Sequence, residues 1–225
     1  MRPASRPWVY AVSSRKRLAP GARTLADEIL ALEGWLEAVI GAGADIVQIR
    51  ERDLNARTLQ AVVRRAVLAT EGRQTAVLVS ERADVALAAR ADGVHLPADA
   101  LPVGEARRLM PGRIVGRSVH GVDAPGESDT PDYVLFGTLF PTRSKEPSAP
   151  TAGLEGLGAA VRRWPCPVVA IGGISIDAAR ACVQRGASGV AAIGLFLPPG
   201  TEPESLGPEA AVRQLARAMA APPVP

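Results

Sequence analysis

The sequence predicts a (β/α)8 TIM barrel of the α/β class, closed as a single domain over residues 1–225, on three observations. Short apolar runs alternate with amphipathic stretches along the chain. The apolar runs number eight, and no linker of different composition divides the 225 residues. Such alternation implies parallel strands joined by right-handed crossovers. With 47% hydrophobic residues the chain can fill one large core, and barrels of this kind commonly stay undivided at this size. The count of eight favours a closed barrel over a doubly wound sheet, which is built from the same units.

The runs are Trp8–Val12, Asp45–Arg50, Thr75–Val79, Gly93–Leu96, Ile114–Ser118, Tyr133–Phe136, Pro167–Ile171 and Gly189–Ile193. Between them, Thr24–Gly41, Leu54–Thr70, Asp84–Ala91, Val103–Met110, Leu154–Trp164 and Ile176–Arg185 place apolar residues three and four apart, which is the helical period. Pro208–Ala221 repeats that period and should lie against the outside of the barrel, followed by a frayed tail at 222–225. Pro125, Gly126 and Pro131 leave Gly121–Pro131 with a short helix or none. Three helices run into glycine, at Gly41-Ala-Gly-Ala-Asp45, Arg90-Ala-Asp-Gly93 and Arg185-Gly-Ala-Ser-Gly189, where a left-handed stop is expected.

Charge and composition exclude several function classes. Lys and Arg number 26 against 23 acidic residues, the basic excess is scattered, and there are only eight aromatics. A nucleic-acid binder would show a basic stripe and stacking platforms, so small anionic substrates are the better expectation. Cys166 and Cys182 belong to no Cys-x-x-Cys or Cys/His cluster and read as core residues. The apolar run ending at Val12 is too short for a signal peptide. Glycines and prolines break Gly186–Gly200, which does not read as a membrane span. The expectation is a cytoplasmic protein without nucleic-acid or membrane partners, with homo-oligomerisation through exposed helices left open.

Active sites of such barrels sit at the C-terminal ends of the strands. Alternation puts Ile46, Gln48 and Arg50 on one face of the second strand, so Gln48 and Arg50 rise together toward the mouth. Ile171-Gly172-Gly173-Ile174 and Ala192-Ile193-Gly194-Leu195 follow strands seven and eight, whose loops commonly hold phosphate on backbone N–H groups. Glycine there would let the backbone approach an anion. The loop Gly137–Gly153 lacks periodicity and reads as a binding loop or lid, with Thr142, Ser144 and Lys145 offering hydroxyls and a cation. His95 and His120 end strands four and five, with Ser118 on the same face as His120.

Taken in order, Val47-Gln-Ile-Arg-Glu-Arg52, Ala91-Asp-Gly-Val-His-Leu96, Ile114-Val-Gly-Arg-Ser-Val-His120, Asp132-Tyr-Val-Leu-Phe-Gly137, Pro141-Thr-Arg-Ser-Lys145 and Val169-Ala-Ile-Gly-Gly-Ile174 resemble the thiamine phosphate synthase and TenI superfamily. The resemblance covers residues 8–195 and implies that the barrel core lies there, with a small phosphorylated thiazole as ligand. It implies substrate binding by Gln48, Arg50, Arg52, Ser118, Thr142, Lys145 and Gly153, and phosphate binding by Gly172, Gly173, Ile193 and Gly194.

Two activities follow from the resemblance. The synthase joins hydroxymethylpyrimidine pyrophosphate to thiazole phosphate and holds magnesium between two aspartates. The first belongs to an Asn-Asp-Arg motif, which reads Ser80-Glu81-Arg82 here. The second closes a His-Leu-Gly-Gln-x-Asp motif, which reads His95-Leu-Pro-Ala-Asp99-Ala100, so Ala100 stands where a ligand is expected and Asp99 is one residue out of register. Under that reading Glu81 and Asp99 would be the metal ligands; otherwise no metal or other cofactor is expected. The wording of the motifs is closer to the TenI-like thiazole tautomerases, which move a proton on carboxythiazole phosphate and need one acid/base group and no metal. The catalytic histidine implied directly after Phe136-Gly137 is Thr138, so His120 is the first candidate for the base and Glu81 the second. The expectation is a thiazole tautomerase. The alternatives are a divergent thiamine phosphate synthase and a non-catalytic thiazole-phosphate-binding regulator.

Overall fold

The computed structural model describes residues 6–122, 130–143, 146 and 150–220. Eight parallel strands close into a barrel in sequence order: β1 (Trp8–Val12), β2 (Ile46–Ile49), β3 (Ala76–Ser80), β4 (Gly93–Leu96), β5 (Ile114–Val119), β6 (Tyr133–Phe136), β7 (Val168–Ile171) and β8 (Gly189–Ala192). β8 pairs with β1 in the register Trp8 to Gly189 through Ala11 to Ala192, which completes the closure. The expected (β/α)8 architecture is therefore present.

Among the described residues the helices are α1 (Arg15–Leu18), α2 (Leu25–Gly41), α3 (Ala56–Ala69), α4 (Ala83–Ala89), α5 (Val103–Leu109), α6 (Gly153–Arg163), α7 (Ile176–Gln184) and α8 (Pro208–Ala220). The single turn of α1 and a 3-10 turn at Gly194–Phe196 were not expected from periodicity, because neither spans enough residues to show one. Thr24 caps α2 in a capping box with Asp27, while Asn55 and Ser175 accept from the N–H groups of Thr58 and Ala178 at the starts of α3 and α7. The expectations for Gly121–Pro131 and for the tail fall largely or wholly outside the described residues.

Side chains divide into two cores by strand alternation. Trp8, Tyr10, Val12, Ile46, Leu78, Tyr133, Leu135, Val169 and Ala191 fill the barrel interior. Val9, Val47, Ile49, Val77, Val79, Val94 and Val134 face the helices, where Leu32, Leu36, Leu59, Val63 and Leu215 meet them. No helix of the described residues is long and apolar enough to cross a membrane.

The expected glycine stops hold in two of three places. Gly43 (φ 85°) follows α2 and Gly186 (φ 93°) follows α7 in the left-handed region. After α4, Arg90 itself takes φ 61° and Gly93 lies within β4. Gly93 serves close packing instead, since a Cβ there would sit 2.0 Å from the Ile114 carbonyl oxygen of the neighbouring strand.

One device repeats at the bottom of the barrel. Asp45, Asp92 and Asp132 each precede an even-numbered strand, and each accepts from the N–H of a residue on the preceding strand: Val9 at 2.8 Å, Val77 at 2.8 Å and Val115 at 2.7 Å. The backbone N–H of each aspartate returns a bond to the carbonyl of that same residue. Every second strand pair is thereby tied at the end away from the site, which leaves the opposite end free for function.

Candidate active site

A cavity of about 480 Å3 opens at the C-terminal ends of the strands, within the size range of a small-ligand pocket. It is lined by Gln48, Arg50, His95, Ser118, His120, Thr138, Thr142, Gly172, Gly173, Ile193 and Gly194, among others. Most of the residues singled out from the sequence are thus brought to one place. Arg52, Glu81 and Gly153 do not line it, and Lys145 and Ser144 lie outside the described residues.

Arg50 projects from the end of β2 and is exposed to the cavity. Its backbone N–H donates to Ser13 Oγ at 2.9 Å, while Ser13 Oγ–H donates to Glu51 at 2.6 Å. Glu51 is buried and also accepts from Arg15 N–H and its guanidinium, both at 3.0 Å. Burial raises the Glu51 pKa against the lowering effect of these bonds. This clamp locks the tops of β1 and β2 together, while the Arg50 guanidinium has no hydrogen-bonded partner among the described residues. Partial desolvation lowers the Arg50 pKa, with Arg52 adding to the effect, but an arginine remains cationic.

Gln48 is nearly fully buried, and its amide serves the barrel interior. Its Oε1 accepts from Tyr10 OH at 2.8 Å and its Nε2 donates to Ser80 Oγ at 2.6 Å. His95, fully enclosed, bridges Tyr133 OH and Ser118 Oγ, each at 2.8 Å. Burial pushes its pKa down to about 3, and the nearby Arg50 charge acts in the same direction, so the imidazole is neutral. His120, by contrast, is exposed at the rim. Its Nδ1 contacts the Gly137 carbonyl, which can only accept, so Nδ1 is the donor and, in the neutral imidazole, Nε2 is the nitrogen open to a proton.

The glycines after β7 have a further role beyond the one expected of them. Gly172 (φ 99°) and Gly173 (φ 63°) pack against the loop after β6, where a Cβ on Gly172 would meet the Thr138 backbone at 2.9 Å and one on Gly173 the Pro141 carbonyl at 2.4 Å. Absence of a side chain is demanded by the chain's own backbone before any ligand arrives. No hydrogen bond among the described residues uses the N–H of Gly173 or Gly194, which leaves both as donors. At Gly194 a Cβ would meet only the tip of Glu202, at 3.1 Å, and of Arg17, at 3.6 Å.

Arg17 and Glu202 were not found from the sequence. They lie 185 residues apart, Arg17 in the single turn of α1 after β1 and Glu202 on the loop after β8, and pair at the cavity wall at 2.6–2.9 Å. Tyr10 and Tyr133 were likewise read only as strand residues, since nothing local marks a hydroxyl that will meet a partner across the barrel.

A family profile described as thiamine monophosphate synthase matches residues 23–196. The chain belongs to that family. Among curated relatives, the thiamine-phosphate synthase of Anaeromyxobacter dehalogenans is 42% identical over 163 residues, covering 71% of this chain and 73% of that protein. The thiamine-phosphate synthase of Roseiflexus castenholzii is 36% identical over 216 residues, covering 95% and 88%. Among solved structures, thiamine phosphate pyrophosphorylase from Pyrococcus furiosus superposes with a TM-score of 0.77 at 29% identity, covering 93% of this chain and 94% of that one.

Magnesium is implied by the synthase branch of the thiamine monophosphate synthase family, and the described residues do not fit it. The Glu81 carboxylate is paired with Arg52, Asp99 is exposed, and neither lines the cavity. Octahedral magnesium needs closely set oxygen ligands. Among the described residues no group of three or more His, Cys, Asp or Glu could hold a metal ion.

Proposed function

We propose that this chain is a thiamine-phosphate synthase that binds thiazole phosphate in the cavity and joins it to a pyrimidine pyrophosphate. The names of its relatives support this reading over the tautomerase expected from motif wording. The observation that carries the ligand class is the cavity itself: Gly173 and Gly194, whose N–H groups have no partner among the described residues, line the same space as the Arg50 cation, and that space is sized for a phosphorylated heterocycle. Departing pyrophosphate develops negative charge, and Arg50 and Arg143 are cations on the cavity wall that would meet it.

A second reading, thiazole tautomerisation, is favoured by one observation: the two carboxylates that would hold magnesium are apart from the cavity, and Ala100 replaces one ligand. His120, with Nε2 bare, would then move the proton. One experiment separates the two. Purified protein receives pyrimidine pyrophosphate, thiazole phosphate and magnesium in one reaction, and the carboxythiazole phosphate tautomer with a chelator in another. Thiamine phosphate in the first supports the synthase. Isomerisation in the second without product in the first replaces it with the tautomerase, and tight ligand binding with neither reaction leaves a regulator.

A further inference from the structure

We infer that the barrel interior carries a hydrogen-bond chain of one fixed direction, which turns the Ser118 hydroxyl proton away from the cavity and makes Ser118 an acceptor for a ligand N–H or O–H. The chain runs through five buried or partly buried side chains. Gln48 Oε1 contacts Tyr10 OH, Tyr10 OH contacts Tyr133 OH, Tyr133 OH contacts His95 Nδ1, and His95 Nε2 contacts Ser118 Oγ, each at 2.8 Å.

Proton counting sets the direction. An amide oxygen only accepts and each hydroxyl has one proton to give. In the structure the Gln48 amide is set with Nε2 donating to Ser80 Oγ and Oε1 toward Tyr10, and with that orientation Tyr10 donates its proton to Gln48 Oε1. Tyr10 oxygen must then accept from Tyr133. With its proton used, Tyr133 oxygen must accept from His95, so Nδ1 carries the imidazole proton. A neutral imidazole has only one, so Nε2 is bare and accepts from Ser118. Tyr133 stacks on His95 with ring centroids 5.7 Å apart, and both rings are enclosed, so the imidazole cannot turn over without displacing its neighbour. His95, buried in the cavity wall, is a positioning residue here, and Ser118, the less buried end of the chain of bonds, is the group offered to the ligand.

The inference goes beyond the proposed function in naming what the ligand must present at Ser118. The oxygens of a pyrophosphate dianion or trianion are acceptors, so they gain little from a serine whose proton is committed elsewhere. A heterocycle amine or hydroxyl does gain. This part rests on the proposed ligand class, whereas the direction of the chain does not.

The test is the tautomer of His95 in the ligand-free protein, read by long-range proton–nitrogen correlation of the imidazoles. The sequence has only two histidines, and His120→Asn assigns them. His95 is expected to be protonated on Nδ1 with Nε2 bare at neutral pH. Tyr10→Phe, which alters a residue without a hydrogen bond to His95, should free the Tyr133 proton to point at Nδ1 and move His95 toward the opposite tautomer. Protonation of His95 on Nε2 in the wild type, or no response to Tyr10→Phe, overturns the inference. Calorimetry with inorganic pyrophosphate supplies the second arm: Ser118→Ala should bind it within twofold of wild type, and a tenfold loss would show that Ser118 donates after all. If the wild type binds no pyrophosphate, the synthase reading fails while the tautomer still decides the direction of the chain.

Discussion

At the scale of single residues, Arg50 distinguishes function from structure because its backbone and its side chain do different work. The backbone N–H anchors to Ser13, while the guanidinium has no hydrogen-bonded partner among the described residues and the residue lines the cavity. Arg50→Met keeps the stem and deletes the charge. It should weaken binding of thiazole phosphate by roughly 10- to 100-fold, the size of a lost hydrogen bond to a charged group, and calorimetry beside a melting curve would check that the fold is unmoved. A large fall in melting temperature with binding intact would assign Arg50 to the scaffold. Glu202 supplies a prediction of opposite sign. Its carboxylate lies beside Gly194, where a phosphate would gather, and Arg17 is paired with it. Glu202→Gln removes a repelling charge and loosens Arg17, so phosphate should bind several-fold tighter, about 1 kcal/mol for a charge contact near 4 Å in water. Weaker binding in that variant would mean Glu202 chiefly holds Arg17 in place.

At the scale of elements, the strand pattern was legible because it depends on neighbours in sequence. Gln48 and Ile46 on one face of β2, and Val47 and Ile49 on the other, follow from alternation alone. The cross-barrel contacts were hidden, since Tyr10 meets Tyr133 at a separation of 123 residues. Gly172 and Gly173 were legible as glycines that matter, but the backbone they make room for is on another strand's loop. The aspartates at the bottom of the barrel show what a purely structural repeat predicts. Asp92 accepts from Val77 N–H and returns a backbone bond to the same residue. Asp92→Ala leaves that buried N–H without its acceptor and should destabilise the fold by about 1–3 kcal/mol, measured by urea titration. Ligand affinity should be unchanged, because the site lies at the other end of the strands. A loss of affinity at constant stability would contradict this division of the barrel into a stability face and a functional face.

At the scale of the whole molecule, the most consequential buried group is a base held neutral. His95 has a pKa of about 3 in the fold, against about 6.5 for an unfolded histidine. Between those values the unfolded chain binds a proton that the folded one refuses, so acid favours unfolding across that window. The stability from keeping His95 neutral is fully present above about pH 6.5 and is lost progressively as pH falls toward 3, by at most about 1.4 kcal/mol per pH unit for one proton. Glu51 acts the other way, since burial raises its pKa and acid therefore penalises its folded form less. Urea titrations at pH 7, 6, 5 and 4 should show a falling midpoint in the wild type. His95→Asn offers Ser118 and Tyr133 a neutral amide that does not titrate, and although less stable at pH 7 it should lose less on acidification. Comparing slopes rather than absolute stabilities keeps the test meaningful even when the variant starts lower. Equal slopes for the two proteins would show that the acid sensitivity comes from the carboxylates, and that the enclosed imidazole takes up its proton without opening the barrel.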